Sequence, residues 1–195
     1  AHELMEAVAA QLDDLGMGGA ELSVDFRPLA SGVAVARGFV GPRGAERVEF
    51  LLSANPGEAP QGLARIASGG ELSRFMLAVK AVMAHRDPVA TYVFDEVDTG
   101  VGGATAEAIG LKLKAVVESR QALCITHMPQ IAALGERHLL VTKRVEENRT
   151  HSRILPLDVE ERVEELARML GGARITRTTR AHARELLSDQ THARQ

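Results

Sequence analysis

An α/β fold is the class this sequence predicts: a mainly parallel sheet flanked by helices, preceded by an antiparallel strand patch. Three observations predict it. From residue 68 onward strand-like and helical segments alternate, and some of the strands are apolar throughout, as in sheets covered on both faces. Before that, three strand-like stretches are separated by Gly- and Pro-containing turns, the signature of antiparallel pairing. The chain has 195 residues, 45% hydrophobic and 25% charged, enough for one domain with a sizeable core or a domain with a short appendage.

Composition excludes several classes. An ordinary apolar fraction and a formal net charge of −3 exclude general disorder. No apolar run approaches the length of a membrane span, and no basic-then-apolar leader opens the chain. The first residue is Ala1, which suits a processed chain or a piece of a longer one. A single cysteine, Cys124, excludes an internal disulfide framework and a cysteine-built zinc site, and suits a reducing cytoplasm. The pI near 6.2 gives no global attraction to nucleic acid or membrane. Aromatics are 3% with no Trp, so base-stacking platforms have no support.

Residues 1–15 read as a short helix with Leu4, Val8, Leu12 and Leu15 on one face. A heptad reading is also open, but two heptads do not make a coiled coil. Gly16, Gly18 and Gly19 end this helix. Strands are expected at 21–26, 32–40 and 46–53, and a loop at 55–62. A helix follows Ser68, with Leu72, Phe75, Met76, Val79 and Met83 as its buried stripe. Next come a strand at 89–94, a helix over about 103–118, a strand at 121–126, a short helix near 129–134 and a strand at 138–143. Two helices close the chain. Asp158 and Glu161 have capping-box spacing at the first, which Gly171-Gly172 ends, and the last runs over about 177–188.

The strongest chemical signal is VATYVFDEVDTG, a buried strand that delivers Asp95 and Glu96 at its carboxyl end, where ligands of parallel sheets sit. Two adjacent carboxylates repel unless a cation or a polarised water uses them. One acid can hold Mg²⁺ through water while the next orients the water that attacks a phosphoryl group. A solvated acidic turn accounts for the pair equally well. The second signal is SGGE. Ser68 and Glu71 have capping-box spacing, while Gly69 and Gly70 leave first-turn N–H groups bare for an anion at the positive end of the helix dipole. Capping alone does not call for two glycines where each weakens the helix. Third, a strand ends in Thr126-His127 before Pro129. A lone His is usually structural, but this strand is expected to neighbour the one bearing Asp95.

Gly100-x-Gly102 resembles the start of a dinucleotide fingerprint, yet Thr105 fills the third small position and Asp95, Glu96 and Asp98 would face a pyrophosphate. That reading is rejected. The phosphate-cradling Gly-x-x-x-x-Gly-Lys-Ser/Thr loop is absent from these residues, since Lys80, Lys112, Lys114 and Lys143 are the only lysines and none follows a glycine.

The order SGGE, strand-DE, acidic loop, strand-Thr-His is that of the carboxyl-terminal lobe of an ABC-type ATPase head, a P-loop NTPase fold. SGGELSRFMLAVKAV, FDEVDTGVGG, THMPQIAA and RVEELARMLGG together resemble the bacterial RecN family, SMC-like ATPases of DNA double-strand-break repair and recombination. The resemblance covers roughly residues 1–190. It implies that Ser68, Gly69, Gly70 and Glu71 are the ABC signature, contacting the γ-phosphate of ATP held by the opposite protomer. Asp95 then matches the Walker B aspartate on Mg²⁺, Glu96 the catalytic glutamate and His127 the switch histidine, and Asp98 falls in the D-loop at the nucleotide. Ala67 stands where many ABC proteins have Leu. The same resemblance makes residues 1–15 the end of a returning coiled coil. It makes 16–195 the lobe, divided into strands and loop (16–66), signature helix and Walker B core (67–156) and terminal helices (157–195). It implies a missing amino-terminal Walker A half, a homodimer through ATP-sandwiched heads, DNA ends bound without sequence readout, no membrane, and a cytoplasmic, nucleoid-associated location. The chain alone is then expected to be inactive as an ATPase. A transporter's nucleotide-binding domain and a nonenzymatic dimerisation or DNA-binding module are the competing readings. The Arg-rich stretch 171–195, five Arg against Glu185 and Asp189, gives the latter some substance, although a solvated helix balancing the acidic helix at 158–165 explains it better.

Overall fold

The computed structural model describes residues 2–66, 68–118, 120–146, 149–172 and 174–192. The chain divides into two compact units, Ala1–Val89 and Ala90–Gln195. The helix after Ser68 packs on the amino-terminal helix within the first unit.

The first unit opens with α1 (His2–Asp14), and the predicted apolar face buries Val8, Leu12 and the following Leu15. β1 (Glu21–Pro28) follows. The stretch 32–40, expected as one strand, is a small hairpin of β2 (Val33–Val35) and β3 (Gly38–Val40), with Val33 opposite Val40. Gly38 has φ 129°, a conformation reserved for glycine, and it turns the chain back after Ala36-Arg37. β4 (Glu46–Ser53) pairs antiparallel with the whole of β1, from Glu21 opposite Ser53 to Pro28 opposite Glu46. The two-residue β5 (Gln61–Gly62) adds to the other edge of β4. α2 (Gly69–Met83) buries Gly70, Arg74, Phe75, Leu77 and Ala78. Its buried arc is rotated from the expected stripe, leaving Met76 and Met83 exposed.

In the second unit β6 (Thr91–Phe94) leads through a loop to α3 (Gly103–Val116), and β7 (Gln121–Cys124) pairs with β6 in parallel, Phe94 opposite Cys124. Among the described residues this pair is the parallel part of the fold, so the expected mainly parallel sheet reduces within this chain to two strands. Cover is also one-sided. Tyr92 and Phe94 are buried, whereas Val93 is 65% exposed and Ile125 58%. α4 (Pro129–Leu134) packs on α3 at Gly110, where a Cβ would meet the Leu134 side chain at 2.4 Å.

The strand expected at 138–143 is longer. β8 (Leu139–Glu146) pairs antiparallel with β9 (Arg149–Pro156), which no sequence pattern announced because every residue of β9 is exposed and no inward-outward alternation exists to read. α5 (Val159–Gly171) begins with the predicted Asp158–Glu161 capping box and ends at Gly172, φ 62°. α6 (Arg177–His192) closes a small core in which Val163, Leu166, Ala167 and Ala183 gather with Ala133 of α4. Among the described residues no helix is long and apolar enough to cross a membrane.

Candidate active site

Asp95 and Glu96 emerge together at the carboxyl end of β6, and both are exposed. Glu96 has φ 60°, and among the described residues it is the non-glycine residue held at positive φ. Such a backbone is unfavourable for a long side chain and clusters at functional sites. Its carbonyl accepts from Thr99 N at 3.1 Å, which closes the turn. Val97, the next residue, is wholly buried.

Asp98 is 3% exposed and its carboxylate anchors the end of the neighbouring strand. Oδ2 accepts from Thr126 Oγ1 at 2.5 Å and from the His127 backbone N at 2.9 Å, and it lies 3.1 Å from His127 Nδ1. Thr126 Oγ1 in turn accepts from Met128 N at 2.9 Å, a local bond that shapes the entry to α4. The His127 side chain is 73% exposed. The structure therefore brings Asp95, Glu96, Asp98 and His127 to the same ends of two adjacent parallel strands. Asp98 is not open to a ligand there. It is occupied within the chain. Its role as an anchor was hidden because sequence spacing does not reveal which acid of a cluster turns inward.

The other expected residues lie in the first unit. Ser68 caps α2, its side chain accepting from Glu71 N at 3.3 Å, with Gly69 and Gly70 as the first helical residues. Ala67 lies outside the described residues. Arg74, one turn on, went unnoticed in the sequence. It is buried, desolvation pulls its pKa down, and the nearby Glu71 opposes that shift. Its signal was a cation spaced three residues from Glu71 on the helix's inner arc.

The electrostatics of the strand ends are negative. The Cys124 thiol is pushed up to about 12, first by burial and then by Asp98 and Asp95. No group of three or more His, Cys, Asp or Glu side chains among the described residues is arranged to hold a metal unaided. An exposed Asp95 nevertheless fits Mg²⁺, which is commonly bound through one or two carboxylates together with substrate phosphates and water.

α4 is held from the far side by Arg162, whose guanidinium donates to the carbonyls of Gly135 at 2.7 Å, Ala133 at 3.3 Å and Glu136 at 3.4 Å. These are the orphan carbonyls of a helix end. In the Arg-rich stretch Arg180 pairs with Glu164 at 2.6 Å and Arg184 with Glu160 at 3.4 Å. Those two cations balance α5, as the acidic helix implied.

No family model matches the chain. Solved structures are similar to it in fold. An Smc head domain with coiled coil and joint from Pyrococcus yayanosii superposes with a TM-score of 0.53 and 19% identity, covering 85% of this chain and 28% of that one. An Smc head from Pyrococcus furiosus gives 0.51 and 16%, covering 85% and 37%. The fold is that of an SMC-type head. In sequence, the chain is 47% identical over 178 residues to the DNA repair protein RecN of Xylella fastidiosa strain 9a5c, covering 91% of this chain and 31% of that protein. It is 47% identical over 191 residues to RecN of Streptomyces coelicolor (96% and 33%) and 39% over 197 to that of Bacillus subtilis (96% and 34%). The chain belongs to the RecN family, and it spans about a third of the length of the curated relatives it matches.

Proposed function

We propose that this chain is the carboxyl-terminal lobe of the ATPase head of a RecN-like, SMC-family protein in DNA double-strand-break repair, working with ATP and Mg²⁺. The observation that carries the reading is the pair of exposed acids at the end of β6, with Glu96 at φ 60°, next to a His127 anchored at the end of β7. Asp95 is the carboxylate that would hold Mg²⁺. Bound there with ATP, the ion would neutralise charge on the phosphate oxygens. Glu96 orients and polarises the attacking water, and His127 presents a ring nitrogen toward the γ-phosphate. At the head of α2, the N–H groups after Ser68, together with Gly69, Gly70 and Glu71, receive the γ-phosphate of the partner head, completing an ATP sandwich between two copies.

These 195 residues contain no lysine loop for the β- and γ-phosphates, so an amino-terminal Walker A half completes each head. DNA ends, bound without base readout, are the partner in the cytoplasm and nucleoid. The test is reconstitution: the chain is mixed with the amino-terminal part of the Xylella relative, which this reading expects to carry the Walker A loop. Turnover of ATP that neither piece shows alone is expected, and Glu96→Gln should slow it by about a hundredfold while sparing ATP binding. Wild-type turnover by Glu96→Gln would refute the reading.

A further inference from the structure

We infer that Asp98 is a positioning residue that fixes the tautomer of His127, protonating Nδ1 and offering Nε2 as the working nitrogen. Two hydrogen bonds and one ion-pair contact meet on one oxygen of a carboxylate that is 3% exposed: Thr126 Oγ1 donates at 2.5 Å and His127 N at 2.9 Å, and the imidazole Nδ1 lies at 3.1 Å. A bare Nδ1 lone pair would face that oxygen as negative against negative. A protonated Nδ1 faces it as donor to acceptor. The backbone N–H of the same residue is bound to the same oxygen, which fixes the main chain from which the ring reaches it. Nε2 has no protein partner among the described residues, on a side chain that is 73% exposed.

The consequence is that one nitrogen, in one place, faces outward whatever the charge of the ring. When neutral it accepts, and when protonated it donates. The arrangement is the same in kind as a carboxylate that orients a metal-bound or catalytic imidazole through its far nitrogen. It also moves Asp98 away from direct contact with nucleotide, since such contact would dismantle the Thr126-His127 turn. The value of Nε2 to hydrolysis rests on the function proposed above. The tautomer itself does not.

The two are separated by experiment. In the ¹⁵N-labelled chain, long-range ¹H–¹⁵N spectra at about pH 8 should show His127 protonated at Nδ1 and bare at Nε2, the reverse of the preference of a free histidine side chain in water. Asp98→Asn, with an unchanged far-UV spectrum, should move at least about half of His127 to the Nε2-protonated form and leave the other six histidines as they were. A wild-type His127 protonated at Nε2, or a variant with the wild-type pattern, overturns the inference. The wild-type spectrum needs no variant, so the first outcome decides even if Asp98→Asn fails to fold. In the reconstituted head Asp98→Asn should lower kcat at least about tenfold with KM within about twofold, and the double variant with His127→Ala should be no slower than His127→Ala alone. A slower double variant would show Asp98 acting otherwise than through His127 and would overturn its assignment. A tautomer switch without loss of kcat upholds Asp98 as the positioner and refutes instead the hydrolytic role given to His127.

Discussion

Glu96 stores backbone strain, and replacing it should reveal how much. A left-handed conformation costs an ordinary L-residue about 1–2 kcal/mol. Glycine escapes that cost but loses roughly 0.5–1 kcal/mol more conformational entropy on folding. The exposed Glu96 side chain makes no hydrogen bond or ion pair among the described residues, so truncation sacrifices no contact. Glu96→Ala keeps the strain and removes only the charge beside Asp95. Glu96→Gly removes both. The difference between the two variants isolates the backbone, and it should favour Gly over Ala by about 0.5 kcal/mol, within about 0–1.5. That sign is opposite to the ordinary one, and Ala181→Gly on an exposed stretch of α6 should cost about 0.5–1 kcal/mol. Urea unfolding followed by far-UV circular dichroism at 25 °C measures all three. A Glu96→Gly chain less stable than Glu96→Ala by about half a kcal/mol would refute the strain argument, whatever either variant does to hydrolysis.

Further consequences can be checked separately. Asp95→Asn in the reconstituted head should weaken Mg²⁺-dependent ATP binding at least about tenfold, measured by titration with and without the ion. Arg162→Met should destabilise the chain by about 1–3 kcal/mol in urea, since it strands the α4 carbonyls now bonded to the guanidinium. Burial, reinforced by Arg162, lowers the pKa of His138. The unfolded chain therefore takes up a proton that the folded chain resists: stability is intact above about pH 6.5 and falls as pH drops below it, and His138→Gln should flatten that fall. With its thiol near 12, Cys124 is about one part in ten thousand thiolate at pH 8, so iodoacetamide should label the folded chain far more slowly than the chain in urea.

Where burial patterned the sequence, the fold was legible. α1, α5 and the β6 strand each carry a one-sided or continuous apolar pattern, and each formed where that pattern lay. Legibility failed where burial is absent. β9 is exposed along its whole length, so only its pairing with β8 makes it a strand. The hairpin at 33–40 alternates as one strand would, and the glycine that breaks it could as well have marked a bulge. The parallel sheet was over-read for a related reason: Val93 and Ile125 have the apolar character of two-sided strands, while the described residues cover only one side. Sequence pattern records the cover a strand is built for. It does not record which chain supplies that cover.

The acids of the site were legible as residues but not as a device. Along β6 the chain alternates regularly, Tyr92 and Phe94 inward and Thr91 and Val93 outward. An extended continuation would send Asp95 out and Glu96 in, burying a carboxylate and exposing Val97. The structure instead has Asp95 and Glu96 both exposed, followed by Val97 and Asp98 both buried. Two outward residues followed by two inward ones break the strand's alternation twice, once at Glu96, where φ is 60°, and again at Asp98, inside the turn that Thr99 N closes on the Glu96 carbonyl. The strained residue thus presents both acids together, and the turn behind it holds Asp98 inward, bonded to Thr126 and His127. Relaxing Glu96 into an extended conformation would withdraw it from solvent and expose Val97 in its place.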